Sequence, residues 1–172
     1  VPLLRSVAFR LDLYDKPDGG RKPHTEYIPT LGGIALFLAF FVGFSVSGFA
    51  SQMQGYSYFA AAMLMLFFTG MKDDLVGLSP LKKLLVEVAV GMMLIFGSGI
   101  YISNFYGVLG ISELPFALSV IITLFTMIVV VNAYNLIDGV DGLAGGIGVI
   151  ASFFFGIGFF VAGEYAMAML SA

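Results

Sequence analysis

Four long uncharged stretches dominate the pattern of hydrophobic and polar positions along the chain. They cover 27–71, 88–112, 114–137 and 142–163. A helix needs about 20 apolar residues to cross the hydrocarbon core, so the first stretch holds two spans around a polar turn. The pattern predicts five spans, near 31–48, 56–71, 84–101, 115–134 and 143–162. Because these runs are too long and too uniformly apolar for barrel strands, we expect an all-α, polytopic membrane bundle.

Composition supports the same class. Hydrophobic residues make up 59% of the chain and charged residues 11%, against roughly 25% charged in a soluble domain. The absence of cysteine excludes disulfides and thiolate metal ligands, and no nucleic-acid-binding patch is visible. We expect one membrane domain over 1–172. The first 13 residues are too short and too charged for a signal peptide. They are typical of the end of a helix, which suggests a fragment of a longer protein that lacks its first span and its C-terminal portion.

The positive charges predict the orientation in the membrane. All eight lie either before the first span or between the second and third: Arg5, Arg10, Lys16, Arg21, Lys22, Lys72, Lys82 and Lys83. The positive-inside rule places both segments in the cytoplasm. Alternation of the spans then brings the polar segment 132–142 to the same face. Two acidic motifs, at 73–74 and 132–142, are therefore expected on the cytoplasmic side.

The larger motif repeats a polar side chain at every third position: Asn132, Asn135, Asp138 and Asp141. On an ideal helix each step of three falls about 60° short of a full turn, so a continuous helix would scatter these groups. Gly139 and Gly142 favour a break there, which would let the aspartates turn back toward the asparagines. Such a set offers oxygen ligands for Mg²⁺ and amides for a nucleotide or sugar. The alternative is that these residues only cap a helix at the membrane surface.

The pair Asp73 and Asp74 is less specific. Adjacent helical residues point about 100° apart, so one carboxylate can face a site while the other pairs with a cation such as Lys72 or Lys83. Two like charges this close also raise one proton affinity, which suits a general base. The alternative is a solvated helix end. Pro80 is expected to open the third span, which places Lys83 at its start as a phosphate ligand or a topology anchor.

Two further polar features accompany these motifs. Prolines and glycines break helix before the first span, leaving Arg21, Lys22 and His24 on an irregular basic loop. Such a loop attracts anionic lipid headgroups or grips a phosphate-bearing substrate. Glu87 lies one turn past Lys83 inside an apolar run. A carboxylate at that position destabilises the folded protein unless Glu87 faces the interior of the bundle and pairs with a residue such as Lys83.

Taken in order, these motifs resemble the polyprenyl-phosphate N-acetylhexosamine 1-phosphate transferase family. The resemblance rests on RKPH at 21–24, IPTLGG at 28–33, DDLVGLSPLKK at 73–83 and NAYNLIDGVDGL at 132–143. The family includes bacterial enzymes that start O-antigen, enterobacterial common antigen and wall teichoic acid synthesis, and a relative that transfers phospho-N-acetylmuramoyl pentapeptide. The basic loop resembles the first group more closely than the muramoyl one.

The resemblance implies transfer of N-acetylglucosamine 1-phosphate, or a related phosphosugar, from a UDP-sugar to undecaprenyl phosphate with release of UMP. It implies Mg²⁺ as cofactor, with Mn²⁺ as a substitute, and the bacterial cytoplasmic membrane as location. A homodimer is also compatible with the family, and we expect no nucleic-acid partner. In such a family one of Asp73 and Asp74 would be a base beside the lipid phosphate.

The resemblance assigns the other residues as well. Lys83 would neutralise phosphate charge, Asn135 and catalytic Asp138 would lie near the metal and diphosphate, and Asp141 would contact the uracil. Asn132 and the basic-loop residues Arg21, Lys22 and His24 would complete the substrate contacts.

The sequence departs from the family pattern, and rival classes exist. The family has a full span before the basic loop and, after the fifth of these spans, another metal-binding aspartate and a histidine loop. An ion-coupled transporter would also place acids at helix breaks, but near the middle of the bilayer. A CDP-alcohol phosphotransferase should show arginine after an aspartate-glycine motif, and no arginine follows Arg21.

Overall fold

The computed structural model describes residues 14–15, 28–29, 31–140 and 142–172. Two strands of two residues each, β1 (Tyr14–Asp15) and β2 (Ile28–Pro29), pair antiparallel, with Tyr14 opposite Pro29. The α-helices are α1 (Leu31–Val46), α2 (Tyr56–Val76), α3 (Pro80–Ser98), α4 (Phe116–Ile137), α5 (Leu143–Val161) and α6 (Tyr165–Ser171). Short 3₁₀ turns occupy Ala50–Gln52 and Val108–Gly110.

The all-α membrane architecture predicted from the sequence is confirmed, and each of the five predicted spans corresponds to a helix, α1 to α5. By length and hydropathy, two of the described helices, α4 and α5, can cross a membrane unaided, and the apolar part of α1, Gly32–Val46, is shorter. The end of α2 and the start of α3 carry charged side chains instead. The short helix α6 was not predicted; it folds back on α5 after a turn at Gly163.

Helix α3 is the central element of the described structure, since it packs against α2 on one side and α4 on the other. Close approach to α4 depends on Gly91, where an added Cβ would lie 2.5 Å from the Leu124 side chain. Gly55, just before α2, has a left-handed backbone conformation and lies against Ser98 at the end of α3. The Ser98 hydroxyl donates a hydrogen bond of 3.1 Å to the Gly55 carbonyl. These contacts place the start of α2 beside the end of α3, and the middle of α3 against the middle of α4.

The two connections at the predicted site form as the sequence indicates. Helix α2 ends at Val76, and Gly77 has a φ of 70°, which a residue with a side chain rarely adopts. Pro80 is then the first residue of α3. Helix α4 ends at Ile137, and left-handed Gly142 (φ 74°) precedes α5. The predicted break between α4 and α5 is therefore confirmed, although of its two glycines only Gly142 has a positive φ.

Candidate functional site

A narrow cleft lies where α2, α3 and α4 meet. Its volume is about 130 Å³, and its polar lining comes from all three helices: Thr69, Asp73, Lys83, Glu87, Asn132 and Asn135. An adjoining cavity of about 340 Å³ shares Lys83, Glu87 and Asn132 with the first. We call the two cavities together the polar cleft. The structure thus brings together four residues predicted from separate motifs, namely Asp73, Lys83, Asn132 and Asn135.

Asp73 is held on both of its carboxylate oxygens. One oxygen forms an ion pair with Lys83, and the other accepts the Leu78 N–H at 2.8 Å. Side-chain exposure is 19% for Asp73 and 30% for Lys83, so water screens the pair only in part. The backbone carbonyl of Asp73 also accepts the Gly77 N–H at 2.8 Å. Asp73 therefore fixes the α2–α3 turn and places Lys83 at the cleft.

The ionisation of Asp73 follows from these contacts. Asp73 lies past the apolar run that ends at Met71. Burial alone would raise its pKa, but the hydrogen bond from Lys83, the Leu78 N–H and the positive charge of Lys83 together hold the pKa below its usual range. We predicted that repulsion within the acidic pair raises one proton affinity, and for Asp73 the shift is in the opposite direction. Because its anion is stabilised, Asp73 is a poorer general base than an unpaired carboxylate would be.

Asp74 lies in a different groove. This groove, of about 280 Å³, runs between α1 and α2, and its lining includes Gly33, Ile34, Phe67 and Asp74. The neighbouring carboxylates therefore diverge as the helical angle of about 100° predicts. Asp73 pairs with Lys83, and Asp74 faces the start of α1.

Besides Thr69, Glu87 is the polar member of the cleft that was not predicted as a site residue. It is buried, with 6% exposure, and its carboxylate accepts a hydrogen bond of 2.7 Å from the Asn132 side-chain amide. The expectation that Glu87 faces the bundle is correct. Its partner, however, is Asn132 rather than Lys83, because Lys83 pairs with Asp73. In the sequence, Glu87 could be recognised as an acid inside an apolar run. That pattern could not identify Asn132, 45 positions away, as its partner.

The polar residues of the motif at 132–142 do not all lie in the polar cleft. Asn132 and Asn135 line the polar cleft, whereas Asp138 is exposed and is not among its lining residues. Asp138 does not turn back toward the asparagines, because its φ and ψ of −66° and −18° continue the helical path. Two steps of three residues leave it about 120° from Asn132 around the helix. Asp141, like Arg21, Lys22 and His24, lies outside the described residues.

The donor chemistry of the cleft suits a hard cation that is shared with a substrate. Within residues 31–140 and 142–172, no group of three or more His, Asp or Glu side chains is arranged to hold a metal ion. Two carboxylates, Asp73 and Glu87, and two amide oxygens nevertheless line the cleft. Mg²⁺ in proteins is commonly held by one or two carboxylates together with water and substrate phosphates, so a smaller protein donor set is compatible with it.

The sequence was compared with known proteins and families. The model of glycosyl transferase family 4 matches residues 56–172. A Yersinia pestis undecaprenyl-phosphate alpha-N-acetylglucosaminyl 1-phosphate transferase is 30% identical over 96% of this chain and 45% of its own length. The enzyme of that name from Escherichia coli K12 is 32% identical over 86% of this chain and 40% of its own length. A probable undecaprenyl-phosphate N-acetylglucosaminyl 1-phosphate transferase from Bacillus subtilis is 30% identical over 87% and 41%.

The chain thus spans less than half the length of these curated relatives. No solved structure matches it significantly. The family match runs from the start of α2 through α6, so it includes every residue of the polar cleft. On that match and on the relatives' identity over most of the sequence, the chain belongs to glycosyl transferase family 4.

Proposed function

We propose that the protein transfers N-acetylglucosamine 1-phosphate, or a related N-acetylhexosamine 1-phosphate, from a UDP-sugar to undecaprenyl phosphate. Family membership and the names of the relatives support this activity. The observation that carries it is the polar cleft, where a lysine, two carboxylates and two asparagine amides converge from three helices. Nothing among the relatives supports the alternatives of ion-coupled transport or phospho-N-acetylmuramoyl-pentapeptide transfer.

The reaction exchanges one phosphoanhydride bond for another. An oxygen of the lipid phosphate attacks the phosphorus that bears the sugar, the bond between the two donor phosphates breaks, and UMP leaves with that bond's electrons. Negative charge must be neutralised on both phosphates throughout. Lys83 is suited to this role because its side chain lines the cleft and is 30% exposed. Its ion pair with Asp73 orients the ammonium before the substrate arrives.

Mg²⁺ would complete the charge balance, with Mn²⁺ as a substitute. Asn135 within the cleft and Asp138 at the end of α4 are the residues proposed to hold it, together with substrate phosphate oxygens. When bound, the ion would stabilise charge on the transferring phosphoryl group. Asn135 and Asp138 are three residues apart and about 60° around the helical path of α4, so their side chains are neighbours and could share one ion.

The groove at Asp74 is the proposed position of the lipid phosphate. Its walls are apolar, with Ile34, Leu66 and Phe67, and its acidic residue lies at the charged end of α2. Such a groove fits an isoprenoid chain whose phosphate lies near the membrane surface. Asp74 is then the candidate base for that phosphate, since the Asp73 anion is stabilised by Lys83.

The proposed setting is the bacterial cytoplasmic membrane, with the polar cleft on its cytoplasmic side. Helices α4 and α5 have the length and hydropathy for spanning. The cleft lies at the end of α2 and start of α3, where Lys72, Lys82 and Lys83 cluster. A UDP-sugar is a cytoplasmic metabolite, so this orientation matches the donor. The product lipid would begin an envelope polysaccharide.

The reaction class can be tested by the fate of one phosphate. Membranes containing the intact protein are given undecaprenyl phosphate and a UDP-N-acetylglucosamine labelled with ³²P only at the sugar-side phosphate. Phosphosugar transfer moves the label into the lipid fraction. Ordinary glycosyl transfer would leave the label in the nucleotide even when the sugar reaches the lipid, and that result would reject the proposal.

A further inference from the structure

The hydrogen bonds of Asn132, an exposed residue beside buried Glu87, fix the orientation of its side-chain amide. The Asn132 amide nitrogen donates to Glu87 Oε2 at 2.7 Å and to the Ile128 carbonyl at 2.8 Å. Both partners are acceptors only, so the amide must turn its nitrogen, and not its oxygen, toward them. Both amide N–H groups are thereby used.

The carbonyl oxygen of Asn132 is consequently the group left for a ligand. No hydrogen bond to Asn132 Oδ1 occurs among the described residues, and Asn132 itself is exposed and lines both cavities of the polar cleft. Glu87 is 6% exposed and lies behind it. Burial of a carboxylate in an apolar segment carries a desolvation penalty, which indicates that Glu87 has a specific role.

We infer that Glu87 is a positioning residue, which turns Asn132 so that its carbonyl oxygen accepts a hydrogen bond from a hydroxyl or N–H group of the donor substrate. This inference rests on the proposed function for the identity of the ligand but not for the orientation of the amide. Glu87 also lines the cleft beside Lys83. It therefore links the lysine-bearing helix α3 to the asparagine-bearing helix α4.

An exchange of the two polar groups tests the pairing without any activity measurement. Asn132→Asp alone sets two carboxylates against each other, whereas Glu87→Gln alone keeps an acceptor oxygen. In the E87Q/N132D double variant the new amide donates to the new carboxylate. We expect the purified protein in detergent to melt about 4 to 10 °C lower with N132D, and the double variant to recover at least half of that loss.

The melting series has two decisive outcomes. Recovery in E87Q/N132D supports the pair, and so does restored accumulation in the membrane if N132D alone fails to accumulate. A double variant whose loss equals the sum of the single losses, or which fails to accumulate like N132D, would overturn the inference. Glu164→Gln, an exposed acid at the start of α6, is the matched control and should melt as the unmodified protein does.

Kinetics of the intact protein separate positioning from mere stability. We expect Glu87→Ala to raise KM for UDP-N-acetylglucosamine about 10- to 100-fold with a smaller effect on kcat, because the amide loses its charged acceptor. Glu87→Gln should stay within about 10-fold, since its oxygen still accepts. An E87A/N132A double variant should be no worse than N132A alone. A fall in kcat with unchanged KM in E87A, or additive losses in the double variant, would refute the role.

The two sets of measurements distinguish the inference from the function on which it rests. If the unmodified protein transfers no phosphosugar, the proposed function fails, and the melting series still decides the pairing. If transfer is normal and the melting losses are additive, only the inference fails.

Discussion

Removal of the Lys83 charge is the perturbation with the largest expected consequence. In Lys83→Met the stem keeps its length, but the Asp73 carboxylate keeps only the Leu78 N–H. A charged hydrogen bond is worth about 1.5–3 kcal/mol when buried and an exposed ion pair about 0.2–1 kcal/mol. Since the two side chains are 30% and 19% exposed, we expect an intermediate loss of about 1–2 kcal/mol. Phosphosugar transfer should fall much further, by about 100- to 1,000-fold in kcat/KM, because a preorganised charge is lost.

The assay has an internal control and a pH dependence. Lys82→Met removes an exposed charge from the adjacent position and should change transfer little, and Lys83→Arg should retain part of the activity. Because the pKa of folded Asp73 is depressed, the stability that its ion pair contributes is complete above the unfolded pKa near 4 and is lost as the pH falls through the folded pKa. The melting difference between the unmodified protein and Lys83→Met should therefore narrow below about pH 4. Equal transfer by Lys82→Met and Lys83→Met, or a melting difference independent of pH, would refute this reasoning.

Other predictions concern orientation and the remaining acids. Because the chain has no cysteine, a cysteine at exposed Ser79 should resist impermeant thiol reagents in intact cells while one at Gln52 reacts; labelling of both from one side would contradict the topology. Asp74→Asn and Asp138→Asn in the intact protein should each lower turnover about 100- to 1,000-fold without loss of folded protein, as UMP release would measure; normal turnover with both neutralised would exclude the mechanism. Asp141→Asn should raise KM for the UDP-sugar more than it lowers kcat, because an amide still bonds to uracil; a kcat effect alone would reject the base contact.

Local geometry explains what the sequence could predict. Five helices follow from apolar runs of spanning length, and Pro80 with Gly77 sets the turn that presents Lys83. The divergence of Asp73 and Asp74 follows from the rotation per helical residue. Each of these features depends on neighbours within a turn or two of the same segment.

Features that depend on how helices cross were not predictable in the same way. The pairing of Glu87 with Asn132 requires α3 and α4 to approach at Gly91, and a hydrophobic pattern carries no information about that contact. The depressed pKa of Asp73 likewise needed the Lys83 and Leu78 contacts to be known. Asp138 was expected to turn back, but helical geometry persists one residue beyond Ile137.

The central claim, that the polar cleft between α2, α3 and α4 holds the donor substrate, is tested most directly by ligand protection of a cysteine placed in it. Thr69 lines the cleft and is partly exposed, and its replacement, Thr69→Cys, would be the one thiol in a chain without cysteine. UDP-N-acetylglucosamine with Mg²⁺ should slow alkylation of that thiol in membranes of an active variant, while a cysteine at Gln52 stays equally reactive. Unchanged alkylation at position 69 under saturating donor, in a variant that still releases UMP, would contradict the account.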